Sequence, residues 1–352
     1  MISLRITKGI FLFVIIILAF GCDFKLYNEP EVGEGNWRED FIATMNIDGS
    51  DVQLIQSQHQ TSFAGARPYF VRDLAGNSEE EVILLDFKNR IDIMSLNGEY
   101  RRTIIDSLGG VQYFNQDRTK MLLEKDGEIY ICNVDGTGLI NLTNTPNVYD
   151  RSPSFSYDEN SVTYSTGNWD VNYCINKVSL EDLHTETLFT LDNNGYSVHF
   201  LPINYPSLIN EKSIVYNLFL FSNSISSLDK HEIIRLNLET NEETTLHSGT
   251  TRIVYSHDKE NIAAYTSWIG VYLIDLLNEE INTFDTDSYT EFLSFSSTDR
   301  YLVMNTGVWD LSLKISYVFS DSEFFKKYNT VDRLHMNINE DRLIGIVSFL
   351  HY

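Results

Sequence analysis

Three kinds of feature are scarce, and each scarcity closes a class of function. Cysteine occurs three times, at Cys22, Cys132 and Cys174, and no two stand at the spacing of a zinc or redox pair. Lys and Arg total 26 against 50 Asp and Glu, a formal charge of −24. So acidic a surface repels phosphate backbones, which excludes nucleic acid as a partner. Motifs that carry chemistry are missing too. There is no Gly-x-Ser-x-Gly elbow, no Gly-rich phosphate loop and no His-Glu-x-x-His. Asp285-Thr286-Asp287 is only an echo of a calcium loop. None of the eight histidines lies two to four residues from another, so no metal site is visible and no cofactor is expected.

What is present begins at the N-terminus. Arg5 and Lys8 precede an apolar run from Ile10 to Phe20, too short to remain as a membrane span, and residues 1–21 read as a signal peptide. The run ends Leu18-Ala19-Phe20-Gly21-Cys22. A small residue directly before cysteine resembles the bacterial lipobox, in which that cysteine is acylated and becomes the new N-terminus. The pattern departs at Ala19, with Leu18 one place early; a leaky membrane anchor and ordinary secretion are the alternatives. Residues 22–40 are acidic and lack a period, so they read as a tether. The expected location is the bacterial cell envelope, lipid-anchored through Cys22 at the outer membrane or the periplasmic face.

From residue 41 to 352 the chain repeats. Ile129-Tyr-Ile-Cys-Asn-Val-Asp-Gly136 opens one hairpin, with Asp135-Gly136 at the turn. Arg151-Ser-Pro-Ser-Phe-Ser-Tyr157 then leads into a second, turning at Asp158-Glu159-Asn160. The opening half recurs from Ile42, Ile91, Ile234 and Val271, the closing half from Val111, Ile253, Leu293 and Leu334. Closing halves start near 67, 111, 152, 205, 252, 292 and 333, spacings suited to four-stranded propeller blades. Six units are complete. Residues 331–349 supply two further strands and residues 41–55 another two. The expected fold is therefore all-β, a seven-bladed β-propeller of four-stranded antiparallel blades whose N- and C-terminal strands share one blade, with six blades as the alternative. Such sharing leaves no open edge. Cys132 and Cys174 then fall in neighbouring blades at different strand positions and are expected as two buried free thiols, with a disulfide between them as the alternative.

Asp135-Gly136-Thr137, Leu142-Thr143-Asn144-Thr145-Pro146 and Ser152-Pro153-Ser154-Phe155-Ser156-Tyr157-Asp158 resemble the TolB-like propeller repeats, a WD-repeat-like family of bacterial envelope proteins. TolB itself resembles a six-bladed ring with an additional N-terminal domain, for which this chain has no room. The resemblance implies a binding propeller without catalysis, a monomer that takes a protein or peptide partner, or a glycan, on a loop face. Some polysaccharide lyases are similar in architecture, seven-bladed rings using histidines with a divalent metal. A metal-assisted oligouronide lyase is therefore the alternative, with His199 and His335 as the histidines to test.

Propeller geometry places the loops that enter each innermost strand on one face, together with those joining second to third strands. Trp169, Trp268 and Trp309 each follow a second strand there, with Phe219 and Phe221 nearby. They offer aromatic surface for a sugar ring or an apolar side chain, or cover the ends of their own blades. Arg67, Arg252 and Arg333 each stand three places before the anchor residue of a first strand. They are expected at the channel mouth, to receive a carboxylate-bearing ligand or to pair with Asp150, Glu291 and Asp332.

Overall fold

The computed structural model describes residues 37–351 apart from 56–65, 75–80, 88, 99–100, 146–147, 169–170, 192–202, 222–227, 250–251, 267–269, 285–292, 305–306, 320–329 and 338. Its compact body spans Arg38–Leu350. Seven four-stranded antiparallel sheets make up this body. Six are continuous in sequence: blade 1 from Arg67 to Asp106, blade 2 from Val111 to Asn141, blade 3 from Tyr149 to Leu191, blade 4 from Ile203 to Ser248, blade 5 from Arg252 to Phe284 and blade 6 from Leu293 to Val318. Blade 7 combines Thr330–Met336 and Arg342–His351 with Trp37–Asn46 and Gln53–Ile55. The seven-bladed expectation is met, and the shared blade lies where the half-repeats put it. Its N-terminal strand begins at Trp37, inside the stretch read as tether.

Burial explains the strand patterns. A blade packed between two neighbours hides both faces of its middle strands, so these read as continuous apolar runs rather than alternating ones. Ile83-Leu84-Leu85, Met121-Leu122-Leu123 and Tyr301-Leu302-Val303-Met304 are buried throughout. Outer strands such as Glu243–Ser248 are largely exposed. Seven apolar clusters follow, one at each interface between adjacent blades. Leu122, Ile129, Phe155 and Val162 join blades 2 and 3; Ile42, Phe70, Ile83 and Ile344 join blades 7 and 1; Met45, Val303 and Leu334 join blades 6 and 7. The ring is held by interfaces between sheets, with no single central core.

Cys132 and Cys174 are free. Cys132 is buried, and burial pushes its thiol up to about 12. Cys174 corrects the expectation of two buried thiols: it is only half-buried, with Sγ 3.5 Å from Thr190 Oγ1.

The turn between first and second strands has one geometry in five blades. Asn115, Ser156, Ser256, Ser296 and Asn337 open it, each donating its backbone N–H to the carbonyl five residues on. The fourth residue, Arg118, Glu159, Lys259, Asp299 or Glu340, takes a positive φ of 53 to 61°. Three of these are acids that reach the turn of the preceding blade. Glu159 accepts from Gln116 N and Asn115 Nδ2. Asp299 accepts from His257 N and Asp258 N. Glu340 accepts from Thr298 N and Oγ1. Each carboxylate thus satisfies loop donors across a blade boundary.

Candidate functional site

The other two residues at this turn position are bases, and they lead to the centre of the ring. Lys259 has no turn of this kind beside it, because blade 4 closes tightly at Asn210–Ser213. Its amine instead lies 3.4 Å from Ser154 Oγ in blade 3 and 5.2 and 5.1 Å from the ring centroids of Tyr113 and Tyr255. Arg118 donates from Nη1 to Phe70 O at 3.1 Å and to Met336 O at 2.6 Å, joining blades 1, 2 and 7. Both side chains are almost wholly buried, at 5% and 4% exposure for Arg118 and Lys259.

Hydrogen bonds cross the ring at this same end. Tyr255 N in blade 5 donates to Tyr113 Oη in blade 2 at 3.2 Å, and Gln116 Nε2 reaches Ser297 O in blade 6 at 3.4 Å. Rings of the first strands of blades 1, 2 and 7 also meet across blade boundaries. Tyr69 meets Phe114 edge-on at 5.0 Å between centroids and the His335 ring at 4.3 Å.

Charge gathers around these rings from the opposite end of the first strands. Arg67 opens the first strand of blade 1 and hydrogen-bonds the Tyr69 side chain; Arg252 opens that of blade 5 and acts electrostatically on Tyr69 as well. Burial pushes the Tyr69 phenol up to about 12; Asp86 adds to this, and the two arginines oppose it. His335 is held well below its ordinary value by burial and by the charges of Arg118, Arg67 and Arg252, so its imidazole is neutral. Asp86 is the carboxylate on this side: it stands opposite Arg67 in register and accepts Val111 N at 3.1 Å.

The sequence-derived candidates divide as follows. Arg67 and Arg252 come together around Tyr69 and His335. Arg333 lies in the first strand of blade 7, its side chain outside the described residues. Trp169, Trp268, His199 and Glu291 lie outside the described residues, as do the side chains of Phe221 and Asp332. Trp309 is not in a loop: it sits in the third strand of blade 6 and packs edge-on to Phe284 of blade 5 at 3.7 Å, covering the interface between the two. Phe219 lies against the His231 ring at 4.0 Å. Asp150 is taken up by the hydroxyls of Thr145 and Thr166. Sequence reasoning missed Arg118 and Lys259. The available signal was a base at the turn position where Glu159, Asp299 and Glu340 are acids.

No group of three or more His, Cys, Asp or Glu among the described residues could hold a metal ion. The surroundings of His335 do not fit one either, since three guanidinium charges act on the imidazole and disfavour a cation beside it.

No protein-family model and no curated protein matches the sequence. Among solved structures, an oligogalacturonate lyase in complex with manganese superposes with a TM-score of 0.58 at 9% identity, over 89% of this chain and 98% of that one. TolB from Acinetobacter baumannii gives 0.46 at 17% identity, over 81% of this chain and 64% of its own length. A putative TolB from Agrobacterium tumefaciens gives 0.48 at 13%, over 89% and 99%. At these identities the likeness is one of fold.

Proposed function

We propose that this chain is a non-catalytic binding propeller of the cell envelope, tethered by lipid at Cys22, that takes a protein or peptide partner on the face where the first strands begin. The observation that supports it is the convergence of Arg67 and Arg252, from blades 1 and 5, on the same buried Tyr69 and His335. In a chain of net charge −24, concentrating guanidinium groups at one axial mouth costs self-repulsion. A partner that presents carboxylates there relieves it, and arginine forks suit carboxylates in geometry. Trp169 and Trp268 belong to the same face in this reading and would flank the mouth with apolar area. The strands hold the loops rigid, and the tether sets the reach from the membrane.

The test uses defined acidic peptides and their Asn/Gln counterparts in direct titration. Acidic peptides should bind, and the Arg67→Ala/Arg252→Ala double variant should lose that binding while still unfolding in a single cooperative transition. Equal binding of the neutral counterparts would overturn the reading. So would a new double-bond absorbance on incubation with oligogalacturonate and manganese, which would make the chain a lyase. Cys22→Ala should move the protein from the membrane to the soluble fraction.

A further inference from the structure

We propose that Lys259 forms the base of a binding site for one small monovalent anion, a halide or a single carboxylate group, at the bridged end of the channel. This stands apart from the partner reading, which rests on the opposite end.

The argument begins with the amine. An ammonium carries three donors and no acceptor. Here the residue is 4% exposed, its hydrogen-bond acceptor is Ser154 Oγ at a long 3.4 Å, and two phenol rings face it. Three carboxylates act on it from nearby, those of Asp299, Glu159 and Asp258, but each is committed elsewhere. Asp299 and Glu159 accept turn donors of blades 5 and 2, and Asp258 accepts Ser256 Oγ and Glu260 N. Among the described residues, none of the three reaches ion-pair distance of the Lys259 amine. Burial pushes the amine down to about 8 while those three acids pull against it, so it keeps its proton at neutral pH. A buried cation without a contacting counter-charge is costly.

The chemistry around it selects an anion. Ser154 Oγ and Ser207 Oγ lie 3.0 Å apart, at 1% and 0% exposure. Their bonds to the Phe155 carbonyl are long, 3.2 and 3.5 Å, so both hydroxyls are able to turn toward a better acceptor. One ammonium and two hydroxyls form a donor set with no carboxylate in it. The proposed occupant is small because Tyr113 and Tyr255 bring opposite blades within hydrogen-bond distance beside the amine.

The full-length chain is melted at pH 7 and constant ionic strength while chloride, or in a second series acetate, replaces a bulky sulfonate. A saturable rise of a few degrees is expected, following mass action on the folded state. Lys259→Met should abolish the rise, and Lys259→Arg should keep it with a shifted midpoint. Should the methionine variant fail to fold, Ser154→Ala/Ser207→Ala carries the test, with roughly a tenfold weaker midpoint for about 1.4 kcal/mol of lost hydrogen bonding. A response to chloride alone identifies a halide site, and a response to acetate alone a carboxylate site. No saturable response in wild type, or the same response in Lys259→Met, overturns the proposal. The Arg67→Ala/Arg252→Ala variant should keep the anion response, so the two readings fail separately.

Discussion

Removing the Asp299 carboxylate tests whether the inter-blade turn contacts carry stability. Asp299→Ala leaves His257 N and Asp258 N, which it accepts at 2.8 and 2.9 Å, without their partner. Half-buried donors that lose a charged acceptor cost about 1–2 kcal/mol each. Alanine at the φ of 61° that Asp299 adopts adds about 1 kcal/mol of backbone strain. The sum is roughly 3–5 kcal/mol. Asp299→Asn keeps one acceptor oxygen and tolerates that backbone region, so it should cost about 1–2 kcal/mol. With an unfolding entropy of about 2.1 cal/mol/K per residue over a body of roughly 300 residues, each kcal/mol is worth ~1.5 °C. Calorimetry should therefore find alanine melting about 5–7 °C below wild type and asparagine about 2 °C below. An alanine variant that melts with the wild type would refute the reasoning, because the turn donors would then find water at no cost.

Tyr113→Phe removes the acceptor of Tyr255 N and should cost about 1 kcal/mol in urea unfolding, with the axial rings otherwise unchanged; a loss near zero would mean that the bridge is idle. Asp310 accepts from Arg300, Ser312 and Leu313, and the Arg300 bond, first among these, holds its carboxyl well below the usual range. A depressed carboxylate gives stability above its unfolded value, about 3.9, which fades as pH falls through the folded value. Asp310→Asn should therefore lower the urea midpoint most near pH 7 and converge on wild type in strong acid; a constant offset would contradict it. A methyl group on Gly109 would lie 1.5 Å from the Glu124 carbonyl oxygen. Gly109→Ala must shift the backbone where blade 1 passes to blade 2, at about 3 kcal/mol, and an unchanged melting temperature would show that this approach is not needed.

The architecture was legible because it is written locally. Asp135-Gly136 and Asp158-Glu159-Asn160 mark hairpins by turn chemistry alone, and their recurrence counts the blades. The shared blade followed from two half-repeats with unsatisfied edges. What failed to show was how side chains converge across the ring. Arg67 and Arg252 were found because they hold equivalent places in the repeat, whereas Tyr113 and Tyr255 meet over 142 residues and nothing local announces it. Trp309 follows the second strand of its blade in sequence, but that strand ends at Met304 and the indole belongs to the next strand rather than to the joining loop. Arg118 and Lys259 look like solvated turn residues until the ring shows that their turns point inward.

Blade 7 also orders the events of biogenesis. The strand at Trp37–Asn46 precedes the six continuous blades in the chain, yet its sheet partner, Arg342–His351, follows them. Closing a loop of roughly 300 residues costs about 5 kcal/mol of chain entropy. The early strand therefore waits with a bare hydrogen-bonding edge while six blades form behind it. A chaperone that guards that edge during synthesis, or a nick that severs the last two strands from the rest, acts on the latch of the whole ring.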